Sequence, residues 1–375
     1  MNVAEKQKIR ELIELVGSKN QAFNKDNLQA ILTPASFEEP ELDRLIDSTE
    51  VKDFLSLGTF LLQEYEKCKD SLKQPYREIL FRFLDFARTN QLLKKIYKNN
   101  KGNAWFDLLL SILKKTNFTT GQLFRQRVQR YGDKTLFKLI KEHNIEEYSW
   151  NEVQEKVDEI ARSLFALAPD GILSGPVAIL SENTVEMALI DLACLSTGIV
   201  NVLIAANSLP AQVEYILRHS EAKTIFVSDE KQLNTVLKLR SQTSNLQNIV
   251  IIEDLHSEVD DSVISYGKFL NNGKHVPLQD VQQAVQRTKL EDLASVMYTS
   301  GTTEAPKGIM FSHLNIVSKR FARAIALPEI GEHDTFLCFL PLFHTFGRWF
   351  EMLGCVFWGS TYAFMQNPSI ETVID

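Results

Sequence analysis

The chain has little of several things, and each shortage excludes a class of function. Cysteine is scarce: Cys68, Cys194, Cys338 and Cys355 stand far apart and match neither a CxxC pair nor a zinc spacing. A disulfide scaffold and a zinc module are therefore not expected, and a reducing cytosol is the simplest home. Basic excess is missing too. Lys and Arg number 41 against 48 Asp and Glu, a formal charge of −7. A general nucleic-acid binder needs a basic face to release counterions, so no nucleic-acid partner is expected. A long uninterrupted apolar run is also absent. The nearest approach, residues 187–206, is broken by Asp191, Ser196, Thr197, Gly198 and Asn201. A charge at a bilayer centre costs about 2.5–3.5 kcal/mol even on an insertion scale. That segment reads better as a buried helix ending at Gly198, followed by a β-branched strand. The polar opening, residues 1–16, lacks the apolar stretch of a signal peptide.

What is present is a core of ample size. Hydrophobic residues make up 44% and charged residues 24% of 375 positions, a globular balance sufficient for two or three domains. Residues 1–117 are expected to be all-helical. ELIELVGSKNQAF, EVKDFLSLGTFLLQEYEKC and PYREILFRFLDFARTNQLLKKIY place apolar residues at i, i+3, i+4 and i+7. Phe54, Leu57, Phe60, Leu61 and Tyr65 fall on one face, with breaks expected at Pro34, Pro40 and KNNKGN. The end of this region is basic: Lys94, Lys95, Lys98, Lys101, Lys114 and Lys115 surround Trp105, Phe106 and Leu108–Leu110. Two readings stand here: peripheral contact with an anionic membrane surface, or a core helix whose lysines reach into water.

From residue 118 the pattern changes. Short apolar strands (GPVAILSEN, IVNVLIA, TIFVSD, NIVIIED) alternate with helical stretches of 10–15 residues. That alternation predicts an α/β fold of βαβ units around a parallel sheet, its strands covered on both faces. Residues 295–315, SVMYTSGTTEAPKGIMFSHLN, are the most informative. An apolar strand runs into small and hydroxyl residues and then Pro306-Lys307-Gly308. Thr299, Ser300, Thr302 and Thr303 offer hydroxyl and N–H donors, successive turn amides can form an anion nest, and Lys307 adds a point charge. Gly301 and Gly308 permit close backbone approach and positive φ. The loop is not a Walker A sequence, since GxxxxGK[ST] is missing. A plain solvated Ser/Thr turn is the alternative.

The pattern TSGTTxxPKG followed by Ser-His-x-Asn closely resembles the phosphate loop of the adenylate-forming superfamily, which holds acyl-CoA synthetases, luciferases and peptide-synthetase adenylation domains. Leu340-Pro341-Leu342-Phe343-His344-Thr345-Phe346-Gly347 is similar to the PLFHxxG segment that follows in that family. More diffusely, Tyr148-Ser149-Trp150, GPVAILSEN, EMALIDLACLSTGIVNV and AQVEYILRHSEAKTIFVSD keep the order of its first subdomain. The resemblance covers about 118–375. It implies a carboxylate attacking the α-phosphorus of ATP to give an acyl-adenylate and pyrophosphate, then capture by a thiol such as coenzyme A. Thr299, Ser300, Gly301, Thr302, Thr303 and Lys307 would hold the phosphates, with Gly308 closing the loop. Lys307 and His344 would act at the reacting centre, with His344 near the carboxylate, and His313 would be structural. For His344 the alternative is a buried histidine between Phe343 and Phe346. Magnesium is expected with ATP, with its protein ligand beyond Asp375.

Two departures from the family pattern matter. Glu304 stands where the family usually has glycine. About 5 Å from a phosphate its charge would cost about 3 kcal/mol at an effective dielectric near 20; pointing outward, the reading favoured here, it weakens the site modestly. No later GxTE element and no TGD occur, so the chain is expected to hold the phosphate grip without the rest of the ATP site. Three functions compete. One is a long-chain fatty acid–CoA ligase present as its N-terminal part, its chain-length preference read from aromatics such as Phe336, Phe343, Trp349 and Phe364. Another is a non-catalytic relative or half of a split enzyme. The third is an adenylation module loading a carrier-protein thiol. A cytoplasmic location is expected, with peripheral contact at the inner face of a membrane as one of the two readings of the basic stretch.

Overall fold

The computed structural model describes residues 11, 14–19, 23–32, 39–168, 175–254, 262–299 and 306–366. The polar opening, Pro34, the tip of the Thr/Gly loop with Ser300, Gly301, Thr302, Thr303 and Glu304, and residues 367–375 lie outside them. The chain forms two compact units. One is residues 1–118 with 317–332, and the other is 119–316 with 333–375.

The first unit is helical: Lys25–Leu32, Glu39–Ser48, Val51–Lys67, Asp70–Phe86, Asn90–Lys98 and Gly102–Thr116. The apolar spacing decides its interior. Phe54, Leu57 and Leu61 are buried, whereas Phe60 and Tyr65 are partly covered. Phe54 lies 5.6 Å from Phe23 and 5.5 Å from Phe86 between ring centroids. Two expectations need correcting. Pro40 does not punctuate a gap but sits in the first turn of Glu39–Ser48, where a missing N–H costs nothing. The stretch 75–97 is not one helix. It stops at Phe86 and restarts at Asn90, because Thr89 is extended and the Trp105 indole N–H takes the Ala87 carbonyl at 3.2 Å. The break frees Asn90, whose amide donates to the carbonyls of Pro328 (3.1 Å) and Ile330 (2.9 Å). That is how a segment far along the chain joins this unit. The lysines of the basic stretch are partly engaged: Lys94 pairs with Glu329 at 2.7 Å, Lys115 pairs with Glu66 at 2.7 Å, and Lys95 donates to the carbonyls of Ile46 and Asp47. Among the described residues, no helix is long and apolar enough to cross a membrane.

The second unit is the expected α/β fold. Its strands are β1 (Thr135–Ile140), β2 (Ile145–Ser149), β3 (Val177–Ser181), β4 (Asn201–Ala205), β5 (Thr224–Val227), β6 (Asn248–Ile251), β7 (Val263–Ser265), β8 (Leu293–Thr299), β9 (Lys307–Ser312), β10 (Thr335–Leu337) and β11 (Thr361–Met365). The larger sheet has the order β7-β6-β5-β3-β4-β8-β9, parallel throughout except for the antiparallel pair β8–β9. β3 and β5 are buried along their whole length, as strands covered on both faces must be. The interrupted apolar run is helix Val185–Thr197. Thr184 caps its start through Met187 N (3.1 Å), and Gly198 ends it at φ +75°. A Cβ at Gly198 would also meet Thr288 Oγ1 at 2.6 Å, so glycine is required there twice over. The smaller sheet, β10-β11-β1-β2, was not foreshadowed by local pattern. β1 pairs in parallel with β11, Phe137 opposite Tyr362, across most of the unit's length.

His313 opens helix His313–Ala326 and is fully buried. Its Nδ1 lies 2.6 Å from Thr120 Oγ1, and that hydroxyl donates its only proton to Leu195 O at 2.7 Å. Nδ1 must therefore carry the hydrogen, which fixes a neutral tautomer. Burial holds this imidazole down to about 4. Between pH 4 and 6.5 the unfolded chain binds a proton that the folded chain refuses, so stability falls as pH drops through that window. The expected loss is about 3 kcal/mol. Urea midpoints of wild type and His313→Asn between pH 7 and 4 check it: the wild-type midpoint should drop more steeply, and parallel profiles would contradict it.

Candidate active site

The Thr/Gly loop connects β8 to β9, which pair antiparallel. Thr299 and Lys307 are cross-strand partners at its mouth and both are exposed, while residues 300–305 lie between them outside the described set. Gly308 sits opposite Tyr298 in extended backbone, not at the positive φ that the sequence suggested. Its lack of a side chain serves close approach instead. A Cβ there would lie 3.0 Å from Val296 Cγ1 and 3.3 Å from Tyr298 Cζ. Tyr298 is itself tied down, its hydroxyl 2.7 Å from His219 Nδ1.

His344 lies in the turn after β10. It is exposed, which rules out the buried-histidine alternative. Its Nδ1 accepts from Phe346 N–H at 3.4 Å, and its ring stacks on Phe346 at 6.2 Å and 9°. With Nδ1 accepting, the neutral ring carries its hydrogen on Nε2. The turn then enters a π-helix, Phe346–Met352, a wider coil that commonly marks functional segments. Gly347 makes this entry feasible, since a Cβ would sit 2.4 Å from Pro341 O and 2.6 Å from Leu340 O. Burial lifts the Glu351 carboxyl above its ordinary range, against hydrogen bonds from the Tyr362 hydroxyl (3.3 Å) and the Leu340 amide.

The two pieces are joined by Arg348, a residue that sequence reasoning did not single out. Its side chain is fully buried. Nε and Nη2 form a fork on Asp191 at 2.9 and 2.6 Å, Nη2 also reaches Asn201 Oδ1 at 2.7 Å, and Nη1 donates to Ser295 Oγ at 2.6 Å. Asn201 Nδ2 donates to the same Asp191 at 2.6 Å, and Ser295 Oγ donates to Asn201 O at 3.1 Å. The guanidinium also covers the Trp349 ring at 4.0 Å. One cation thus ties helix Val185–Thr197, β4 and β8 to the segment that follows His344. A parallel apolar link, Phe311 on β9 to Trp349 at 5.4 Å, fastens the second hairpin strand. Asp191, read from sequence as an interruption of an apolar run, is the anion of this pair. The available signal was an acid and an Asn ten residues apart in an otherwise apolar stretch, with no visible partner.

The topology marks the same end of the sheet. β3 leads to β4 on one side, while its neighbour β5 leads to β6 on the other. The carboxyl ends of β3 and β5 therefore form a switch point, where open α/β sheets take ligands. Chemically, hydroxyl and amide donors with a lysine at a hairpin mouth suit an oxyanion such as a polyphosphate. Among the described residues there is no acidic or histidine cluster able to hold a metal ion.

A family model described as "AMP-binding enzyme" matches residues 124–373. Long-chain-fatty-acid–CoA ligase ACSBG2 of Homo sapiens is 23% identical, over 78% of this chain and 42% of the relative. Peroxisomal long chain acyl-CoA synthetase 6 of Arabidopsis thaliana is 29% identical, over 54% of this chain and 29% of its own length. The inhibitor-bound N-terminal domain of FACL13 from Mycobacterium tuberculosis superposes with a TM-score of 0.55 at 20% identity, covering 68% of this chain and 59% of that one. Acetoacetyl-CoA synthetase from Streptomyces lividans gives 0.57 at 19%, covering 66% and 38%. At such identities the structural likeness speaks for the fold. The chain spans less than half the length of the curated relatives it matches.

The buried pair makes a specific energetic prediction. Asp191→Leu alone strands the Arg348 charge and should cost about 3–5 kcal/mol. The double variant Asp191→Leu/Arg348→Met removes both charges and should recover a large part of that loss. Denaturant midpoints of wild type, both single variants and the double variant test this. Additive losses would contradict it.

Proposed function

Because the chain belongs to the family of AMP-binding enzymes, we propose that it is the phosphate-gripping part of an ATP-dependent acid–thiol ligase, acting on a long-chain fatty acid with coenzyme A as acceptor. The observation that supports this reading most is TSGTTEAPKG on a β-hairpin mouth, inside a family match covering residues 124–373. Named relatives that are long-chain-fatty-acid–CoA ligases favour the acyl class.

In this reading Thr299, Ser300, Gly301, Thr302 and Thr303 wrap the β- and γ-phosphates of ATP with hydroxyls and amides, and Lys307 neutralises their charge. Gly308 lets the returning strand lie close against the outgoing one. Fixed donors of this kind act without reorganising during the reaction. His344, with its hydrogen on Nε2, meets the carboxylate that attacks the α-phosphorus. Pyrophosphate leaves, and the acyl group then passes from the adenylate to the thiol, which loses its proton as AMP departs. Magnesium would supply further charge neutralisation when bound with ATP, its protein ligand coming from residues other than those described. The remaining ATP contacts come from a further half, in the same gene product or another chain. Lys98, Lys101 and Lys114, all exposed, are the residues proposed for cytoplasmic contact with an anionic membrane surface.

Pyrophosphate exchange into ATP, driven by palmitate and measured on the native-length protein, tests the reading. Lys307→Ala should lower exchange about 100-fold. Exchange without a coenzyme A ester would favour loading of a carrier-protein thiol. No exchange with any carboxylic acid would overturn the enzymatic reading.

A further inference from the structure

His344 is exposed and reaches the site from a turn, so something must fix the direction in which its ring points. Within the turn, His344 N donates to Pro341 O at 3.0 Å. Two further backbone groups of the turn are gripped from a distant place in the sequence. Asn183 Nδ2 donates to Leu340 O at 3.0 Å, and Asn183 Oδ1 accepts from Leu342 N at 2.9 Å. One amide thus brackets Pro341 on both sides. The geometry needs a side chain with one donor and one acceptor at the same reach. Asp can only accept, and Ala can do neither.

Asn183 is well placed for this work. It lies between the end of β3 at Ser181 and Thr184, the N-cap of helix Val185–Thr197. The rigid strand end and the capped helix hold its backbone from both sides. It also stands in the loop after β3, at the switch point of the sheet. The same helix carries Asp191, which holds Arg348 four residues beyond His344. The turn is therefore fixed before His344 by Asn183 and after it by Arg348, both anchored to one helix and its cap.

We propose that Asn183 is a positioning residue for His344: its amide clamps the Leu340–Leu342 turn and sets the direction from which the imidazole meets the carboxyl substrate. The second clause rests on the function proposed above, whereas the clamp itself does not.

The test uses the 375-residue chain with isotope-labelled histidine, His344 being assigned by its loss in His344→Gln. In Asn183→Asp and Asn183→Ala, the His344 ring resonances should lose the displacement caused by stacking on Phe346 and move to solvent-exposed values. The resonance of His313, buried against Thr120, reports whether the fold is intact. An unmoved His344 signal with His313 intact overturns the clamp. Should both variants fail to fold, exchange of the Leu342 amide in wild type decides: strong protection supports the clamp, and exchange at the free-peptide rate overturns it. In native-length protein, either variant should lower kcat/KM for the acid about tenfold or more while the KM for ATP stays within about twofold. Absence of acid-dependent exchange in wild type would remove the proposed function, yet the resonance measurement would still judge the clamp.

Discussion

A fully buried guanidinium is the constraint around which the α/β unit is arranged. Arg348 places a cation where water cannot reach, and it is tolerated because Asp191 accepts its fork while Asn201 and Ser295 take further donors. Such a pair is weak evidence of net stability, since apolar residues of similar volume often do as well. What it enforces is geometry. Any arrangement that separates helix Val185–Thr197, β4, β8 or the π-helix leaves a charge or a polar group unpaired in a low-dielectric interior, and each such loss is costly. The network therefore selects one relative placement of these four elements over compact alternatives.

That placement is what a site requires. β8 delivers the Thr/Gly loop at its carboxyl end, and the π-helix delivers His344 from its amino end. The π-helix helps, because its wider coil turns Arg348 inward while Phe346 remains at the surface beside His344. Gly347 permits the tight entry, and Phe311 against Trp349 adds apolar contact on the β9 side. Fixed stems with donor-rich tips are the usual way in which a loop binds a phosphate without losing much entropy on binding.

Much of this was legible in sequence, for local reasons. The end of helix Val185–Thr197 followed from Gly198, the buried strands from continuous β-branched runs, and the loop from its hydroxyl and glycine content together with the family pattern. What escaped depends on partners distant in the chain. Asp191 looked like an interruption because its cation lies 157 residues away. Asn183 passed as the last residue of the strand segment GPVAILSEN because its partners are backbone atoms at Leu340 and Leu342. The small sheet was invisible for the same reason: β2, IEEYS, shows no apolar run of its own and takes its place by pairing with β1. Gly308 illustrates the opposite error. A glycine in a phosphate-type loop suggests positive φ, yet here it serves a close cross-strand approach.

Arg348 holds the two loop stems as one body. Amide hydrogen exchange of wild type and Arg348→Met, followed peptide by peptide, tests it most directly. Protection should fall together in β4, β8, helix Val185–Thr197 and the π-helix, with the helical unit of residues 39–118 unchanged. Loss confined to residues 346–358, with β8 and the helix still protected, would contradict the account.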